Sequence, residues 1–148
     1  MKLVLQRVKK SAVHVDEQLV SEIGHGLMIL FGVEKGDTEE MADWLAEKVL
    51  KLRIFEDDNN KMNYSVVDVK GELLVVSQFT LAGNCKKGTR PSFDNAEHPE
   101  KAKKLYEYFC DVLSRNIPVK MGVFGAMMDV SLINDGPVTF VLEKSNVD

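Results

Sequence analysis

The chain has 148 residues, 45% of them hydrophobic and 28% charged, with a formal net charge of −4. That length suits one domain, residues 1–148, with a core of its own, and the composition is ordinary for a globular chain. The acidic balance excludes a protein that grips nucleic acid with its whole surface, and no apolar window reaches the ~18 residues of a membrane span.

The opening MKLVLQRVKK has too short an apolar run for a signal peptide, so the expected location is cytoplasmic. KLVLQRV (2–8) and SAVHVDEQLVSEI (11–23) combine alternation with β-branched residues and read as strands, with a turn at Asp16-Glu17-Gln18. GHGLMILFGV (24–33) is a continuous apolar run, the pattern of a strand buried on both faces. In GDTEEMADWLAEKVLKLRIF the period changes. Met41, Trp44, Leu45, Val49 and Leu52 recur every three or four residues, one face of a helix, with Asp37 and Glu40 as its capping box. EDDNNKMN (56–63) reads as a solvated turn, because it lacks the spacing and terminal glutamate of a calcium loop.

ELLVVSQFTL (72–81) is the strongest strand. The polar stretch AGNCKKGTRPSFDN (82–95) is longer than an ordinary connection, which marks it as a functional candidate. A second helix is predicted from Pro99 to Arg115, burying Ala102, Leu105, Tyr106, Phe109, Val112 and Leu113. IPVKMGVFG, MMDVSLIN and PVTFVLEK complete the chain as strands, with Gly136-Pro137 breaking the last pair. Seven or so strands and two helices predict an α+β fold: a curved, barrel-like mixed or antiparallel sheet with both helices packed outside.

Cys85 and Cys110 make no disulfide framework, and no spacing of histidines and cysteines resembles a zinc site. His14, His25 and His98 stand in no triad setting, and neither a P-loop nor a dinucleotide turn occurs, so no metal and no cofactor are expected. Two stretches carry the remaining chemistry. Ser77, Gln78, Phe79 and Thr80 read either as the solvated end of a strand or as a pocket wall, with polar groups beside a ring that can stack on a base. NDGPVT (134–139) reads as a turn whose peptide isomer spacing cannot choose. Lys86, Lys87 and Arg90, followed by Lys101, Lys103 and Lys104, form a basic cluster that is either a solvated face or a local patch for phosphates.

SQFTL (77–81) paired with NDGPVT resembles the two signatures of the D-aminoacyl-tRNA deacylases, also called D-tyrosyl-tRNA deacylases. The similarity runs nearly end to end, through QRV (6–8), LRIFED (52–57), KKG and RPSF (86–93) and GVFGA (122–126). The resemblance implies a homodimeric hydrolase that cleaves the ester between a D-amino acid, or glycine, and the terminal adenosine of tRNA. It places the pocket at the dimer interface. Ser77, Gln78, Phe79 and Thr80 of one subunit, with Phe124 and Ala126, would bind substrate. Asn134, Gly136 and Pro137 of the other would reach in as a cis-peptide wedge against L side chains, braced by Arg7.

Gln78, Phe79 and Thr80 would be the catalytic residues, through positioning and backbone N–H groups that receive the oxyanion, while the adenosine 2′-hydroxyl helps to activate water. Lys86, Lys87 and Arg90 would meet tRNA phosphates. The chain departs from the family pattern at Met127, where relatives commonly carry an aspartate, so that acid cannot be required here. Without the resemblance, Arg7 reads first as an exposed strand arginine, because arginine is usually found on surfaces. The same residues would also suit a non-catalytic binder of the tRNA 3′ end or a general small esterase.

Overall fold

The computed structural model describes residues 1–147. Eight strands and two α-helices follow one another as β1 (Lys2–Val15), β2 (Gln18–Ile23), β3 (Gly26–Gly32), α1 (Glu39–Lys51), β4 (Phe55–Glu56), β5 (Met62–Tyr64), β6 (Glu72–Ser77), α2 (Pro99–Ser114), β7 (Val119–Met121) and β8 (Asp129–Glu143). A mixed sheet runs in the order β2-β1-β3-β6-β7, with β8 paired to the remaining edge of β1. The β3–β6 and β6–β7 pairs are parallel, which their helical crossovers through α1 and α2 require. The edge strands β2 and β7 meet where the Ser21 hydroxyl donates to the Met121 carbonyl at 2.6 Å, so the sheet is nearly a closed barrel.

Strands β3 and β6 are buried on both faces, as their unbroken apolar runs predict. Leu27, Ile29, Phe31, Leu73 and Val75 face α1 and α2 in the larger core, which also holds Leu45, Val49, Tyr106 and Phe109. Met28, Leu74 and Val76 point the other way, toward Val8, Val13 and Ile23 inside the curved sheet. Period two on each strand thus supplies two cores at once.

Several local expectations are corrected. Residues 2–15 form one long strand rather than two short ones, and the turn that ends it holds Asp16 and Glu17 at positive φ. Thr38, not Asp37, caps α1, accepting from the Met41 N–H at 3.4 Å. Asp37 is buried and pairs instead with the Met1 amine at 2.8 Å, a tertiary claim on the carboxylate that no local pattern reveals. Trp44 is not on the buried face. It is 42% exposed, with the ammonium groups of Lys48 and Lys144 about 5.0 and 4.8 Å from its ring, where cation–π attraction and aliphatic stems cover it. The turn predicted over 56–63 is narrower, since Glu56 ends β4 with its carboxylate toward Arg7 and Met62 begins β5. Within it the Asp57 carboxylate accepts from the Lys61 and Asn59 N–H groups, which hold it below the usual carboxylate range. Residues 123–128 are a loop, not part of a strand.

The most consequential correction concerns the strand predicted through Leu81. β6 stops at Ser77, and Phe79–Ala82 turn into a short 3-10 helix. After the Gln78 N–H donates to the Phe31 carbonyl at 2.8 Å, the chain folds over the end of β3. Gly32 permits this, because a Cβ there would come 2.8 Å from the Leu81 Cβ and 3.0 Å from the Gln78 carbonyl oxygen. Gly32→Ala is therefore expected to lower unfolding free energy by about 1–3 kcal/mol, the usual cost of forcing atoms into a packed site. Denaturant titration measures it; an unchanged midpoint would refute this account of the turn.

Candidate active site

The folded-over turn walls a cavity of about 590 Å³. Ser77, Gln78, Phe79 and Thr80 form one side, and Phe124, Ala126, Met127 and Met128 form another. The approach to α2 and its first turn complete the lining, with Glu97, His98 and Ala102. Phe79 is 61% exposed, a large cost for an aromatic ring unless something covers it. Among the described residues its ring neighbour is Phe93, edge-on at 5.2 Å between centroids. The Gln78 amide donates to the Thr80 hydroxyl oxygen at 2.7 Å, which fixes both side chains beside the ring. Glu97 is held below the usual carboxylate range, chiefly by the His98 N–H and then by Lys101.

Tyr106 ties the two walls together. Its hydroxyl donates to the Val75 carbonyl at 2.6 Å and accepts from the Gly122 N–H at 3.2 Å. Burial pushes this phenol far above its ordinary range and the neighbouring Cys110 thiol up to about 12, so both stay neutral and structural.

Gly136 and Pro137 do not join this cavity. The β1–β8 register explains why: Gln6 pairs with Thr139 and Val8 with Asn134, so residues 135–138 leave the ladder opposite Arg7 alone. Val138 N–H donates to the Asn134 amide oxygen at 3.1 Å and closes the excursion, and the Gly136-Pro137 peptide within it is cis. Gly136 has φ +133°, and a Cβ on it would stand 2.7 Å from the Val138 Cγ2, so only glycine fits. Gly136 lines a second cavity of about 420 Å³ with Arg7, Lys9, His25, Phe55, Glu56 and Asp135.

Arg7 is 5% exposed, not the surface arginine that residue type alone suggests. Its Nε donates to the Asp135 carbonyl at 3.1 Å and its Nη1 to the Ile54 carbonyl at 2.8 Å.

Of the residues singled out in the sequence, Ser77, Gln78, Phe79, Thr80, Phe124 and Ala126 thus converge on one cavity, and Gly136 and Arg7 on another. Asn134 staples the excursion. Lys86, Lys87 and Arg90 are exposed at the tip of a loop closed by the paired main chains of Asn84 and Ser92, and they do not line the cavity. Sequence reading missed Phe93, Glu97, His98, Ala102 and Met128 as cavity residues. The small Ala102 on an otherwise bulky helix face was the available signal. Met127, at 92% exposure, stands at the mouth.

A protein-family model described as D-Tyr-tRNA(Tyr) deacylase matches residues 4–143. A D-aminoacyl-tRNA deacylase of Persephonella marina is 63% identical over 141 residues, covering 95% of this chain and 96% of the relative. One from Geotalea daltonii is 61% identical over 144 residues, covering 97% and 96%. Among solved structures, one titled c-Myc DNA Unwinding Element Binding Protein superposes with a TM-score of 0.93 at 40% identity, covering 98% of this chain and 99% of that one. A probable eukaryotic D-amino acid tRNA deacylase shares the fold at a TM-score of 0.78 and 19% identity, covering 95% and 97%. The fold is therefore that of the tRNA-deacylase class. The chain belongs to the D-Tyr-tRNA(Tyr) deacylase family.

The Gly122 N–H also donates directly to the Val75 carbonyl at 3.2 Å, so Tyr106→Phe removes the bridging hydroxyl without stranding either group, and is expected to cost about 0.5–1.5 kcal/mol of stability. Thermal or denaturant unfolding checks this. A stability equal to that of the unmodified chain would show that the hydroxyl does not join the walls.

Proposed function

We propose that this protein is a hydrolase that cleaves the ester bond of D-aminoacyl-tRNA and of glycyl-tRNA in the cytoplasm, releasing free tRNA and the amino acid. The observation that carries this reading is the convergence of Ser77, Gln78, Phe79 and Thr80 on one cavity, in a chain that matches the family from residue 4 to residue 143. An exposed Phe79 ring beside amide and hydroxyl groups suits a terminal adenosine, which offers a face for stacking and edges for hydrogen bonds. Lys86, Lys87 and Arg90 lie on the loop that leads to Phe93 at the cavity wall, where they can meet the tRNA phosphates.

In this reading the chemistry is mainly positioning. The Thr80 hydroxyl oxygen accepts from the Gln78 amide, a group that takes no proton, so threonine is a poor nucleophile here. Backbone N–H groups at Phe79 and Thr80 receive the oxyanion, and the 2′-hydroxyl of the adenosine assists the attacking water. Purified protein is expected to hydrolyse D-aminoacyl-tRNA and to spare its L counterpart. Thr80→Ala should keep more than about a tenth of the rate, and a 2′-deoxy terminal adenosine should lose most of it. Protection of both enantiomers from hydrolysis would mark a binder instead, and a rate indifferent to the ribose would mark a general esterase.

Stereochemical selection is assigned to a second copy of the chain. Gly136 and Pro137 lie on an exposed excursion away from their own chain's substrate cavity, which suits a loop lent to a partner. β8 supports the same reading. It pairs only with β1 among the described strands, and it exposes Ile133, Phe140 and Val141. A long apolar edge of this kind normally needs cover. In the dimer the main chain at Gly136-Pro137 would collide with an L side chain while a D side chain points outward; backbone cannot rotate aside as a side chain does.

Mixing inactive Gly136→Phe protein with inactive Phe79→Ala protein should then restore about a quarter of the sites, since half of the dimers are mixed and each has one intact site. Activity that stays absent after proven subunit exchange would sink the shared site.

A further inference from the structure

We propose that Asp135 and Glu56, the two carboxylates that flank the Arg7 guanidinium, are positioning residues for stereochemical selection. They hold the arginine against Gly136 and so set where the Gly136-Pro137 loop stands. The inference rests on the reading of that loop as the element that rejects L substrates.

A guanidinium that is almost wholly buried keeps its charge, so its surroundings must supply both acceptors and compensating anions. Arg7 receives them from opposite sides. On the loop side, Nε donates to the Asp135 carbonyl, and Asp135 Oδ2 lies 3.5 Å from the same nitrogen. On the body side, Nη1 donates to the Ile54 carbonyl, and Nη2 stands 3.5 Å from Glu56 Oε1. The buried Phe55 ring lies 5.9 Å from the guanidinium carbon and stops it from tilting.

Gly136 follows directly on the Asp135 carbonyl that the Arg7 Nε holds, and the guanidinium occupies the space beside it, where a side chain's Cβ would come within 3.3 Å of Nη2. A shift of the guanidinium is passed to the glycine through that carbonyl. The body side is itself anchored, since β4 and β5 form a two-stranded hairpin and Arg53 Nε donates to the Asn63 carbonyl at 2.9 Å. Phe55 and Glu56 line the cavity that holds Gly136 but not the substrate cavity, which leaves support of the arginine as their role near the site. His25 adds a third layer, edge-on to Phe55 at 5.2 Å and with Nε2 3.8 Å from Asp135 Oδ2. Lys9 is the remaining charged group on this cavity.

The two carboxylates act in opposite directions. Replacing Asp135 by asparagine keeps the shape and the main-chain acceptor, but leaves Glu56 as the only anion and draws the guanidinium away from the loop. Replacing Glu56 by glutamine leaves the arginine tied to an anion on the loop itself, with one neutral carbonyl linking it to the body. Both changes free Gly136 to shift.

The test compares kcat/KM for D- and L-aminoacyl-tRNA in Asp135→Asn, Glu56→Gln and Arg7→Lys, with thermal unfolding measured alongside. Arg7→Lys keeps the charge and loses the forked geometry. Each carboxylate variant is expected to lower the D-over-L preference by about tenfold through faster L hydrolysis, with KM for the D substrate unchanged. In the Arg7→Lys background, neither carboxylate change should lower it further, because both act through the arginine. Folded Asp135→Asn and Glu56→Gln proteins whose preference stays within about twofold of the unmodified chain, while Arg7→Lys loses it, would overturn this inference alone. A folded Arg7→Lys protein with full preference would overturn the reading of the loop as well.

Discussion

A buried arginine opposite a gap in the sheet is the constraint on which the candidate site depends. Along most of β1, hydrogen bonds to β8 run in register, but between Gln6 and Val8 one residue faces four. A ladder with such a gap leaves main-chain groups without partners, and buried main-chain groups must find them. Arg7 fills the gap: its guanidinium reaches the Asp135 carbonyl on one side and the Ile54 carbonyl on the other. Its five donors in a rigid plane suit the task, where a lysine would offer a point charge on a flexible stem. The excursion therefore stands out from the sheet as a supported feature.

The substrate cavity arises from a different economy of backbone. β6 is buried on both faces and ends where the chain must clear Gly32, and the 3-10 turn that follows turns Gln78, Phe79 and Thr80 into a wall. The opposite wall is a loop with few regular bonds of its own, fixed through Gly122 to the Tyr106 hydroxyl and through the Val123 N–H to the Met128 sulfur at 3.4 Å. Both walls thus lean on α2. Placing reactive or binding groups on turns held by a rigid frame keeps their donors and rings open to a ligand, which regular strands would have consumed.

Much of this was legible in the residues. Unbroken apolar runs announced the doubly buried strands, three- and four-residue spacing announced both helices, and the paired motifs at 77–81 and 134–139 announced the family. The failures have a common cause. Asp37 looked like a cap because its neighbours suit one, but the Met1 amine holds it. Trp44 fell on the apolar stripe, yet two lysines cover it at the surface. The strand drawn through Leu81 stops four residues early, because Gly32, over forty residues upstream, leaves room for a turn. In each case at least one deciding partner is remote in sequence: Met1 for Asp37, Lys144 for Trp44 and Gly32 for the turn.

What the sequence determined by itself was the set of elements, the class of fold and the chemical inventory of the site, since periodicity, turn residues and side-chain types are local properties. Tertiary structure alone decided that Arg7 is buried rather than exposed, that Phe93, Glu97, His98 and Ala102 meet Phe79 around one cavity, and that Gly136 faces another. These are contacts between residues tens of positions apart. Their free energies depend on which surfaces the folded sheet and helices bring together, and local spacing carries no record of that.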